Sequence, residues 1–174
     1  GYGGPCFPRD NKALAAAARA AGADAGLADA TDALNAHQTQ RLRMIVEAHA
    51  AAGAVVAVVG LAYKQDTDVI ECSPGVDLAR ALLTKGFKVL LHDPLALENA
   101  RRAVPDAEAV VDAAAVVKAA DVIVITTPSA VFRSLPWSAA GDATKTVIDC
   151  WRLVDPASLP AQVSLVRLGK GPRA

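Results

Sequence analysis

The chain has 174 residues, of which 53% are hydrophobic, 21% charged and 4% aromatic, a globular profile that excludes a disordered segment. Lys and Arg number 18 and so do Asp and Glu, for a formal net charge of zero, which leaves no basic excess for a general nucleic-acid footprint. No apolar run reaches the roughly 18 residues of a membrane-spanning helix.

Residues 1–10, Gly1-Tyr-Gly-Gly-Pro-Cys-Phe-Pro-Arg-Asp10, hold three glycines and two prolines and predict a tight, irregular loop. Asp10 is the expected N-cap of a helix over 11–21, a stretch of Ala, Leu, Lys and Arg that Gly22 ends. A second helix is expected over about 26–51. Leu27, Ala30, Leu34, His37, Arg41, Met44 and Ile45 follow one another along it at helical spacing, as one apolar stripe. Its length, about 39 Å at 1.5 Å per residue, exceeds what a small domain needs. Such a helix joins two bodies or packs against a copy of itself.

From Gly53 the pattern changes. Val55-Val-Ala-Val-Val59 is a continuous apolar run ending in Gly60, as expected of a strand buried on both faces. A helix over about 75–85 is broken by Gly86, and Lys88–Leu91 reads as the next strand, with His92-Asp93-Pro94 at its carboxyl end. Residues 95–103 and 112–119 read as helices. Val122–Ile125, Thr146–Asp149 and Val163–Val166 read as further strands. Strands alternating with helices predict parallel pairing through right-handed crossovers. The expected fold is therefore α/β, a doubly wound parallel sheet over 53–174, preceded by a loop at 1–10 and a helical region at 11–52.

In such a sheet, ligands bind outside the carboxyl ends of the strands, which nominates Gly60–Lys64, His92–Pro94, Thr126–Ser129 and Asp149–Arg152. Gly60-Leu-Ala-Tyr-Lys64 has one glycine where a dinucleotide loop has three, so NAD is not the obvious ligand of this sheet. A strand-end glycine followed by Lys64 suits a phosphate, or is a plain turn with a solvated lysine. Asp93 suits a ribose hydroxyl or an Asp-Pro turn; it lies 33 residues past Gly60, against a usual spacing of about 20. Arg152 is placed to clamp a phosphate or carboxylate, or is a surface arginine.

Cys6 is the most informative residue. Gly3 and Gly4 precede it, Arg9 and Asp10 follow, and helix N-terminal amides lie close behind, a setting that suits a reactive cysteine. The alternative is a buried structural thiol. Cys72 and Cys150 lack that context, and the three are too far apart for a zinc site. An odd cysteine count with no export signal points to a reducing, cytoplasmic setting. The start at Gly1, without a methionine, carries the expectation that the chain continues a longer protein. His37 and His49 fall on the long helix as packing or surface residues.

Together these segments resemble the UDP-glucose/GDP-mannose dehydrogenase family. Gly1–Asp10 is similar to its catalytic-cysteine motif, G-x-G-G-x-C-F-P-K-D, with Arg9 where Lys is usual. Asn35-Ala-His-Gln38 resembles the N-x-x-Q of its central helix. Gly60–Lys64 with Asp66-Thr-Asp68 and Ser73-Pro74 resembles the opening of its Rossmann-like C-terminal nucleotide-binding domain. The resemblance implies oxidation of the C6 alcohol of a nucleotide sugar to a carboxylate with two NAD⁺, through a cysteine thiohemiacetal and thioester. It implies Cys6 as nucleophile, Asp10 assisting a water or base, and Cys6, Phe7, Pro8 and Arg9 near NAD. Gly1, Tyr2 and Gly3 would lie along the sugar nucleotide, Tyr63 and Lys64 at its UDP, and Arg152 at the substrate. It further implies a homodimer through the long helix and a cofactor domain outside this chain. Glu71-Cys72-Ser73-Pro74 departs from the family's Arg-Glu-Ser-Pro, with the charge at the first position reversed. A stand-alone nucleotide-sugar-binding or dimerisation module, or an inactive remnant, is the competing reading; the intact cysteine loop favours the enzyme.

Overall fold

The computed structural model describes residues 1–169; residues 170–174, the end of the expected C-terminal domain, lie outside the described residues. The apolar runs form an all-parallel sheet of β1 (Val55–Val59), β2 (Lys88–His92), β3 (Glu108–Ala109), β4 (Val122–Ile125), β5 (Lys145–Asp149) and β6 (Val163–Arg167). Its order is β3-β2-β1-β4-β5-β6, so the chain winds outwards from β1 in both directions. This is the doubly wound architecture that the alternating pattern predicts.

Successive strand residues point to opposite faces, and each face has its own core. Val56, Val58, Leu91, Val122 and Val124 pack with α3 (Pro74–Thr84) and α4 (Leu97–Ala103). Ala57, Val59, Leu90, Ile123 and Ile125 pack with α5 (Ala113–Ala119) and with two 3-10 turns, Ala130–Ser134 and Trp137–Ala140. Those turns stand where a full crossover helix would run; Pro128 and Pro136 each precede one, and proline removes the donor a longer helix needs. Strand β3 was not expected, because two residues carry no periodicity; it is held by pairing with Leu90 and Leu91. The buried Lys145 donates its ammonium to the Lys118 and Ala120 carbonyls, satisfying the carboxyl end of α5.

Ahead of the sheet lie two helices. α1 runs Phe7–Ala20, four residues earlier than the start expected at 11, because Pro8 suits a helix's first turn. The loop is thereby shortened to residues 1–6. Cys6, not Asp10, is the N-cap, and Asp10 sits inside the first turn. α2 runs Gly26–His49, 24 residues, about 36 Å. The stripe read from the sequence is not the face that packs. Leu27, Leu34 and Met44 are exposed, whereas Ala28, Asp32, Asn35, Leu42 and Val46 turn inward. Ala28 joins Ala15 and Ala25 against α1, and Leu42, Ile45 and Val46 reach the core beneath α3.

At the carboxyl end of β1 the backbone turns at Gly60, φ +95°. A side chain there would strike Thr127, so this glycine serves close packing with the β4 loop. Asp93, 6% exposed, then closes the turn. One carboxylate oxygen accepts from the Leu61 amide at 2.7 Å, the other from the Leu95 and Ala96 amides at 2.8 Å each. Asp93→Ala leaves these buried donors unpaired and is expected to lower the unfolding free energy by about 3 kcal/mol. Urea denaturation checks this, and an unchanged midpoint contradicts it.

Candidate functional site

The carboxyl ends of β4, β5 and β6 face α2 and the first residues of the chain across a cleft of about 540 Å³. One wall is the inward stripe of α2, from Asp32 and Asn35 through Thr39 to Leu42 and Ile45, a run of about 20 Å. The other wall is built by Cys72 and Pro74 at the start of α3 and by Cys150, Trp151 and Leu168 beyond β5 and β6. The end near Asp32 and Asn35 is polar. The end near Ile45 and Leu168 is apolar. Trp151 also lines the cleft, its indole N–H pinned to the Thr126 carbonyl at 2.9 Å while half of the residue stays exposed. Lys12 and Arg41 supply cations to the lining. Burial pushes the Cys150 thiol up to about 12, with the neighbouring Asp149 adding to it, so Cys150 presents a neutral thiol to this cleft.

The cysteine loop lies across one rim, held from both sides. On the α2 side, the Asn35 side chain accepts from the Tyr2 amide at 2.7 Å and donates to the Tyr2 carbonyl at 2.9 Å; the Tyr2 hydroxyl donates to Asp32. On the sheet side, the Gly4 amide donates to the Glu71 carbonyl at 2.8 Å. Gly3 lies so close to the Cys72 carbonyl that a side chain would overlap it, and Gly4, φ +87°, abuts the Tyr63 ring. Close approach thus demands both glycines, and at Gly4 the backbone shape demands it as well. Tyr2 and Pro8, on either side of Cys6, line the cleft; Cys6 itself is exposed at the start of α1.

The structure gathers Gly1, Tyr2 and Pro8 at the cleft; Gly3 abuts Cys72 and Pro74 of its lining, and Phe7 packs on Tyr2. Arg9 and Asp10 form an exposed ion pair with each other at 2.9 Å, and that pairing raises the Arg9 guanidinium further. Tyr63 packs under Gly4. Lys64 stands 5.5 Å from the Tyr63 ring centre and lines a smaller hollow of about 190 Å³ instead. Arg152 lies outside the cleft lining: its backbone is left-handed, φ +58°, and its guanidinium donates to the Leu168 carbonyl at 3.3 Å. Its neighbour Trp151 faces the cleft. Asp93 takes the turn role described above and also lines that smaller hollow. Sequence reasoning missed Trp151, Lys12, Arg41 and Asp32 as lining residues. For Asp32 and Arg41 a signal existed, since both lie at helical spacing from Asn35 and Gln38.

The fold is a doubly wound α/β domain with a cysteine-bearing loop on the rim of its larger cleft. Residues 57–156 match the family model "UDP-glucose/GDP-mannose dehydrogenase family, UDP binding domain", and the chain belongs to that family. It is 38% identical over 155 residues to the UDP-glucose 6-dehydrogenase of Haloferax volcanii, covering 88% of this chain and 36% of that protein. Among solved structures, a UDP-glucose dehydrogenase from Pyrobaculum islandicum superposes with a TM-score of 0.78 at 30% identity, over 86% of this chain and 34% of that one. GDP-mannose dehydrogenase from Pseudomonas aeruginosa does so with a TM-score of 0.75 at 26% identity, over 94% and 39%. The chain thus spans little more than a third of the length of the relatives it matches. The resemblance carried by the cysteine loop and the Gly60–Pro74 segment is borne out at the level of the family. No helix among the described residues is long and apolar enough to cross a membrane.

The bond to Asp32 pushes the Tyr2 phenol up to about 12, with burial and the Asp32 charge adding to it; Tyr2 in turn lowers the Asp32 carboxyl. A raised phenol means that the bond is fully present below the ordinary value of 10.0 and is lost as pH rises towards 12. A phenolate absorbance titration is expected to show one late tyrosine, absent in Tyr2→Phe. A titration in which Tyr2→Phe removes an ordinary phenol contradicts the bond.

Proposed function

We propose that this chain is the sugar-nucleotide-binding and cysteine-bearing part of an NAD-dependent nucleotide-sugar 6-dehydrogenase, acting on a UDP-sugar such as UDP-glucose or a UDP-N-acetylhexosamine. The observation that carries this reading is the seating of the cysteine loop on the rim of a 540 Å³ cleft within a domain of that family. Trp151 and the apolar end offer a flat ring a surface to lie on. Lys12 and Arg41 offer charge to a diphosphate, and Thr39 offers a partner to a hydroxyl.

The Gly60–Ala62 turn does not fit a dinucleotide, because Asp93 already takes the amides that would hold a pyrophosphate. NAD therefore belongs to a domain outside this chain, with Cys6 to Arg9 turned towards it; when bound, it supplies the hydride acceptor. The step assigned to Cys6 is nucleophilic. Its sulfur adds to the C6 aldehyde carbon, forming a C–S bond while the carbonyl oxygen takes a proton. After that carbon is oxidised to the thioester level, water adds to it and the thiolate leaves. In this reading Asp10, one turn into α1 and paired with Arg9, accepts the proton of that water.

The exposed stripe of Leu27, Leu34 and Met44 on α2, with Leu14 on α1, supports pairing with a second copy along this helix. A stand-alone binding module would have no use for a cysteine on so closely fitted a loop.

Calorimetry of the chain with UDP tests the reading. Binding in the roughly millimolar range is expected, weakened in Trp151→Ala; no heat at any UDP concentration contradicts the cleft assignment. In a complete dehydrogenase carrying this segment, Cys6→Ser is expected to abolish carboxylate formation, a loss of at least about a thousandfold, while UDP-sugar still binds. Turnover like that of the parent removes Cys6 from the chemistry.

A further inference from the structure

Helix α2 grips the cysteine loop at one residue. Asn35 pairs with both the amide and the carbonyl of Tyr2, at 2.7 and 2.9 Å, as a neighbouring strand would. Asp32, one turn earlier on the same helix face, accepts from the Tyr2 hydroxyl, so the backbone and the far tip of one side chain are fixed to one rigid element. The Tyr2 ring then packs edge-on against Phe7, with ring centres 4.5 Å apart and planes at 67°. Phe7 is the first residue of α1, and Cys6 is its N-cap. A continuous chain of contacts thus leads from α2 through Tyr2 and Phe7 to the residue that bears the thiol. On the opposite side, the Gly4 amide bond to Glu71 only anchors the loop's backbone.

We propose that Asn35 and Asp32 are positioning residues for Cys6: they hold Tyr2, and through the Tyr2–Phe7 contact they set where the thiol stands relative to the sugar-nucleotide cleft. This rests on the reading of Cys6 as the nucleophile of that cleft. Neither side chain reacts. Their contribution is to keep the sulfur in one place, and misplacement of a reacting atom by about 1 Å costs up to a hundredfold in rate.

The test uses this chain with Cys72→Ser and Cys150→Ala, so that Cys6 is the single thiol, and two alkylating probes: iodoacetamide and a haloacetamide tethered to UDP. The directed probe reads position, through its labelling rate at saturation; the free probe reads exposure and intrinsic reactivity. In the single-thiol parent, the directed probe is expected to label Cys6 in a saturable reaction that UDP blocks. Asn35→Ala is expected to lower the saturated directed rate about tenfold or more, with the free iodoacetamide rate within about twofold of the parent. Asn35→Asp keeps the acceptor for the Tyr2 amide and loses the donor to its carbonyl, so it should fall between the two. Tyr2→Phe keeps the ring contact with Phe7 and loses only the Asp32 bond, so it should cost less than Asn35→Ala. This order separates positioning from collapse of the loop, which would raise the free rate and flatten the series. A saturated directed rate in Asn35→Ala equal to the parent's, or a series with no order, overturns the proposal. If the parent itself shows no saturable, UDP-blocked labelling, the reading of Cys6 falls, and the positioning role with it.

Discussion

The Asp93 side chain is the tie on which the carboxyl edge of this sheet depends. It takes the Leu61 amide on one side and the Leu95 and Ala96 amides on the other, tying the loop after β1 to the loop after β2. In a doubly wound sheet, amides at the end of the first strand are where a pyrophosphate ordinarily docks. Here the buried Asp93 side chain occupies those amides instead, and a buried polar group is kept at acceptable cost when its hydrogen bonds are made. A small hollow of about 190 Å³ remains beside that tie, and the larger cleft lies towards β4, β5 and β6, with α2 along one wall.

The larger cleft exists because the long helix faces the sheet. The sheet alone offers Cys150, Trp151 and Leu168 on one wall. The facing wall, and the polar groups suited to hydroxyls, come from α2. The same face of α2 that lines the cleft also holds the cysteine loop by Asn35 and Asp32, so ligand space and thiol share one frame. The loop complies because Gly3 and Gly4 bring its backbone against Cys72 and Tyr63 with no side chain in the way.

The sheet was legible in the sequence because a strand buried on both faces must be apolar throughout, and Val55–Val59 and Val122–Ile125 have no other use. The cysteine loop was legible because its glycine and proline density has a local cause. Three features were not. The start of α1 lies inside the loop motif, where Pro8 looks like a breaker and is in fact a first-turn residue. The packing face of α2 was misread because size outweighed direction: Leu27, Leu34 and Met44 form the more obvious stripe, yet the tight contact with α1 selects Ala28 and the loop selects Asp32 and Asn35. The partners of the cleft were only partly visible, because Arg152 carries the more obvious charge, while it is its neighbour Trp151 that lines the cleft and Arg152 bonds to the Leu168 carbonyl.

The most direct test of this arrangement is the backbone and side-chain amide spectrum of the chain titrated with UDP. The account predicts that the signals of Cys72, the Asn35 side chain and the Trp151 indole move, while the Leu61 and Ala62 amides, already bound to Asp93, hold their positions. Movement of Leu61 and Ala62 with the cleft signals unchanged would place the nucleotide at the end of β1 and contradict it.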